Sequence, residues 1–74
     1  MNEFAKYFNI PLETVEKMLK MGLIDPTKIY QCEMAAHYRE CLTLSTKRMD
    51  AIYDCMLHYK CSQRHVYKAI TLFK

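Results

Sequence analysis

An all-α fold of about five helices follows from three observations on this sequence. Apolar residues recur at spacings of three and four along nearly the whole chain, which is the period of a helix. Chain-breaking residues are sparse, with one Gly and two Pro in 74 residues. A helix–break–helix pattern near the start also recurs 51 residues later.

Asn2 to Phe8 forms a first helix with Phe4, Ala5 and Phe8 on one face, and Asn9-Ile10 breaks it. Pro11 supplies the first position of a second helix, whose Leu12, Val15, Met18 and Leu19 point inward and which Gly22 ends. Residues 2–22 thus make an N-terminal helix pair. Asp25 as N-cap and Pro26 as first helical residue open the longest helix, 26–44. Ile29, Cys32 and Ala36 form one stripe on it, and Tyr30, Met34, Tyr38 and Cys41 another. A helix apolar nearly all round must be covered nearly all round, which calls for a central helix or a dimer seam. Ser45 or Thr46 caps a fourth helix, lined on one side by Met49, Ile52, Tyr53 and Met56. Lys60-Cys61 breaks it and Ser62 caps the last helix, giving a C-terminal pair over residues 46–74. The whole reads as one helical domain, 1–74.

Size and charge bound what such a domain can do. A chain this short buries only about 60% of its unfolded surface, so it needs tight packing, a partner or staples. No apolar run is long enough to span a bilayer, so no membrane partner is expected. The opening MNEFAKYFNI lacks the basic-then-apolar pattern of a secretory signal. These points lead to an expectation of a cytoplasmic protein in which Cys32, Cys41, Cys55 and Cys61 stay reduced. Residues 1–44 carry five Lys and Arg against six Asp and Glu, whereas residues 45–74 carry six against two. A polyanion would meet the second half first.

The repeat sharpens that expectation. Asn9–Leu19 lies over Lys60–Ile70, so that Phe8 overlies Tyr59, Ile10 overlies Cys61, Val15 overlies Val66 and Leu19 overlies Ile70. Ala5, Asn9, Val15 and Met18 resemble the spacing of the helix-turn-helix of DNA-binding proteins, and Met56, Lys60, Val66 and Ala69 follow it more loosely. CSQRHVYKAI is similar to the hydrophobic–Ser–x–x–x–Val–Tyr–x–x–Ile recognition helices of homeodomain-like, resolvase-like and Mor-like bacterial and phage regulators. Each copy covers about 20 residues. The turn glycine of such motifs is replaced by Asn9 and Lys60; Asn tolerates left-handed geometry well, Lys at some cost.

The resemblance implies that one of the two second helices enters a major groove. The first copy would present Pro11, Leu12, Glu13, Glu16, Lys17 and Lys20, a poor set because carboxylates repel phosphates. It suits a scaffold or an oligomer contact. The second copy presents Ser62, Gln63, Arg64, Tyr67, Lys68 and Thr71. Gln63 and Arg64 suit base edges, and Ser62, Tyr67, Lys68 and Thr71 suit phosphate oxygens. Lys47, Arg48 and Lys60 would add backbone clamps. The expected partner is double-stranded DNA, bound by a homodimer acting in transcription regulation.

Other chemistry is less well served. Cys55, His58, Cys61 and His65 have zinc-like spacing, but the helix-turn-helix alignment buries the thiols and turns the imidazoles elsewhere. Cys32, His37 and Cys41 on one helix have angular offsets too different to converge. No metal or cofactor is therefore expected. Cys61 and His65 lack an orienting third group, so an enzyme is not expected. Tyr30, Met34 and Tyr38 suit a core or a dimer seam. The rival reading is a phage- or mobile-element-type protein that inhibits or adapts a host protein on the same scaffold.

Overall fold

A computed structural model describes residues 2–44 and 47–73, in which the chain forms five helices and no strand. They are α1 (Asn2–Phe8), α2 (Leu12–Lys20), α3 (Pro26–Thr43), α4 (Arg48–Tyr59) and α5 (Gln63–Leu72). Their boundaries fall close to those read from the apolar spacing. Pro11 sits one position earlier than expected: its backbone is extended, at φ −62° and ψ 143°, so it precedes the helix rather than opening it. A Ser45 or Thr46 cap lies outside the described residues. Lys47 immediately precedes α4, and its carbonyl accepts from Ala51 at 2.9 Å.

Local chemistry explains the remaining ends. The Asp25 carboxylate accepts from the Thr27 N–H at 2.9 Å, while Pro26 fills a first-turn position that needs no donor. At the end of α2, Gly22 adopts φ 76° and Leu23 N–H reaches back to the Met18 carbonyl at 2.9 Å. That wrap satisfies carbonyls the helix would otherwise leave open.

Three backbone bonds of the first corner recur in the second. In the first corner Ile10 N–H donates to Ala5 (3.0 Å), and Thr14 and Val15 donate to the Pro11 carbonyl. In the second, Cys61 N–H donates to Met56 (3.1 Å), and His65 and Val66 donate to the Ser62 carbonyl. Every partner in the second set lies 51 residues after its counterpart. The bridging residues Asn9 (φ 54°) and Lys60 (φ 51°) are the two non-glycine residues with positive φ among those described. Both corners therefore turn on one left-handed residue. Because a Cβ makes that conformation cost about 1–2 kcal/mol, Lys60→Gly is expected to stabilise the fold by about 1 kcal/mol despite the extra freedom it gives the unfolded chain. In a domain of this size the melting temperature would rise by about 4–8 °C. An unchanged or lower melting temperature would show that the turn is not strained.

α3 is the central helix, in contact with α1, α4 and α5. It divides the core in two. One half holds Phe4, Ala5, Val15, Ile29, Cys32, Ala35 and Phe73. The other holds Met34, Tyr38, Ala51, Ile52, Cys55, Val66 and Ala69. Met34 and Tyr38 thus pack inside one chain rather than across a seam between copies. Tyr30 remains partly exposed, and its hydroxyl donates to the Tyr59 carbonyl at 2.8 Å.

The inward side of α4 differs from expectation. Ile52 is buried and Met56 half-buried, but Met49 and Tyr53 face outward, and Ala51 and Cys55 take the inner positions. Small side chains there let α4 lie close against its neighbours. Leu12 and Phe8 are also exposed, although the Phe8 ring packs 4.8 Å from that of Phe4. Among the described residues no helix is long and apolar enough to cross a membrane.

Candidate nucleic-acid interface

The second corner consists of α4, the left-handed Lys60 and α5. Val66 and Ala69 anchor α5 with no exposed surface, which fixes the direction its opposite side faces. That opposite side exposes Arg64, Lys68 and Thr71, with Lys60 and Ser62 exposed at its start. Lys47 and Arg48 are exposed at the far end of α4. The Tyr67 hydroxyl donates to Met49 Sδ at 3.7 Å, which brings the first turn of α4 alongside the middle of α5. Basic groups therefore stand at the start of α5 and beside its middle.

Several of the expected contacts are already engaged within the chain. Gln63 is half-buried and its Nε2 donates to the Tyr67 hydroxyl at 3.3 Å. A base edge could take Gln63 only by replacing that contact. Thr71 Oγ1 donates to the Tyr67 carbonyl at 2.9 Å, leaving its lone pairs outward. Ser62 stands at the N-cap position with extended backbone, but its side chain makes no cap bond to a backbone N–H of the helix; its Oγ pairs with His65 Nδ1 at 2.8 Å instead. The same bond occupies His65, the imidazole considered as a partner for Cys61.

Neither metal-like spacing gathers its residues around one point among the described residues. Cys55 is fully buried and lies 3.9 Å from the Met34 carbonyl, while His58 and His65 are exposed. Cys32 lies in the other half of the core. His37 and Cys41, however, do converge, because residues four apart on a helix share a face. Between them comes Asp54 of α4, with Oδ2 at 2.6 Å from His37 Nε2 and 3.5 Å from Cys41 Sγ. The hydrogen bond to His37, and then that to Cys41, hold the Asp54 carboxyl below its usual range. Burial first, and then the Asp54 contact, push the Cys41 thiol up. His58, one turn beyond Asp54, stacks on His37 with ring centroids 4.8 Å apart. The paired spacings His37–Cys41 and Asp54–His58 were visible in the sequence; the register that joins them was not.

This chain matches no protein-family model, no curated protein and no solved structure.

Proposed function

We propose that this protein is a helix-turn-helix DNA-binding protein, a transcriptional regulator of the bacterial or phage type, with α5 as the helix that enters the major groove. The observation that carries this reading is the outward row of Arg64, Lys68 and Thr71 on a helix pinned from behind by Val66 and Ala69. In this reading Arg64 takes the two acceptors of a guanine, and Gln63 exchanges its bond to Tyr67 for an adenine edge. Lys47, Arg48, Lys60 and Lys68 neutralise phosphates, while Ser62, Tyr67 and Thr71 add hydroxyl contacts. The reading includes a homodimer on a near-palindromic site. Met49, Tyr53 and Leu57, exposed at successive turns of α4, offer it an apolar surface. The same stripe suits a foreign protein.

Titration against random duplex DNA at two salt concentrations tests the proposal. Four phosphate-neutralising side chains per protomer give a log–log salt slope of about −4 for a bound protomer and about −7 for the homodimer, or about two and four orders of magnitude between roughly 50 and 200 mM salt. Arg64→Ala is expected to cost about 1–3 kcal/mol on a selected sequence and to relax preference at one base. Absence of binding at low salt would overturn the reading and favour a host-protein partner.

A further inference from the structure

We propose that His37, Cys41 and Asp54 form a binding site for a zinc-like divalent cation that fastens α4 to α3. The candidate ligand atoms, one from each residue, all lie within 4.8 Å of one another. Around tetrahedral zinc, bonds of about 2.0–2.3 Å set ligand atoms about 3.3–3.7 Å apart. Cys41 Sγ and Asp54 Oδ2 already have that separation, at 3.5 Å; His37 Nε2 needs to withdraw from its 2.6 Å contact by less than about 1 Å, and its distance to Cys41 Sγ, within 4.8 Å, needs to close by no more than about 1.5 Å. Imidazole, thiolate and carboxylate are all ligands that zinc accepts.

Three further features favour a cation here over a simple His–carboxylate pair. The first is the thiol, which an ion pair does not need. The second is the surroundings: the groove over the cluster is lined by His37, Glu40, Cys41, Leu44, Asp50 and Asp54, with no Lys or Arg among the described residues. The third is His58, whose ring stacks on that of His37 with centroids 4.8 Å apart and so holds the ligand imidazole in its orientation. The charges balance as well. Cys41 releases its thiol proton to solvent on binding, and its thiolate with the Asp54 carboxylate neutralises the dication.

The site differs from the sequence's zinc-like run, since neither Cys55, Cys61 nor His65 belongs to it. It is independent of DNA binding, though it would hold in place the helix that leads into the second corner. A metal that links two helices of the native state, but not of the unfolded chain, raises stability by mass action.

Cobalt(II) added alone to metal-stripped, reduced protein tests the assignment. The expected result is thiolate-to-cobalt charge-transfer absorption that saturates at one equivalent, is absent in Cys41→Ser and survives in Cys61→Ser. His37→Ala and Asp54→Asn should each weaken binding by roughly a hundredfold or more, since even outer-shell partners of a metal are worth about 10–100-fold. Zinc should raise the melting temperature of the wild type and not that of His37→Ala, a half-exposed position at which the fold is retained, as circular dichroism would verify. Absorption that persists in Cys41→Ser, or no absorption in the wild type, would overturn the proposal.

Discussion

Met34→Ala is expected to destabilise the protein by about 2–5 kcal/mol, the range for emptying a fully buried large side chain. Met34 is 1% exposed and the largest of the fully buried residues, set where α3 meets the half-core shared with α4 and α5. The neighbours that would have to collapse into the space are Ile52, Val66 and the short side chains of Ala51, Ala69 and Cys55. Short side chains on fixed helices cannot reach inward, so most of the cavity should persist. A domain of this length has about 4–11 kcal/mol in total, and each kcal/mol is worth about 4–8 °C in melting temperature. The variant is therefore expected to melt at least about 8 °C lower. Met21→Ala, at a residue 68% exposed, should change stability by no more than about 0.5 kcal/mol. Urea or thermal unfolding of the pair checks this, and equal effects at the two positions would show that the half-core is loosely packed.

The second large effect is a loss of stability in alkali. Burial, with a smaller contribution from Cys41 and Asp54, pushes the Cys55 thiol up to about 11 from its ordinary 9.0. Burial and then Glu33 push Tyr59 up to about 12 from 10.0. Both groups hold their protons in the folded chain at a pH where the unfolded chain has lost them. Their contribution is therefore complete below pH 9 and is lost as pH rises through the window from about 9 to 12. The melting temperature should fall across that window. Cys55→Ala should start lower, because it leaves a small void, and then fall less steeply, with Tyr59, Tyr30, Cys32, Cys41 and Cys61 contributing the remainder. Parallel curves for the variant and the wild type would remove Cys55 as a source.

Much of the fold was legible because its determinants are local. Asp25-Pro26 and Gly22 mark ends by their own backbone chemistry, and the offset of 51 marks two corners without any knowledge of packing. The inner side of α4 was not legible. Met49, Ile52, Tyr53 and Met56 satisfy helical spacing as well as Ala51, Ile52 and Cys55 do, and the choice is made by how closely α3 and α5 approach. Apolar character alone cannot rank a large residue against a small one at a tight crossing. On the candidate interface, the outward placement of Arg64 and Lys68 followed from burial of Val66, while the bond of Gln63 to Tyr67 is an i, i+4 pairing that was open to inspection. The His37–Cys41–Asp54 cluster could not be read from one helix. Asp54 lies on a second helix running antiparallel to the first, as Cys41 beside Asp54 and Tyr30 beside Tyr59 show.

Phe73 joins the two halves of the molecule. It follows α5, yet its ring belongs with Phe4 and Val15, and Arg39 of α3 donates to its carbonyl at 2.6 Å. A chain made of two similar corners could behave as two beads on a shared rod, each opening on its own. Here the tail of one bead is sewn into the other, so neither can fray far without loosening its twin.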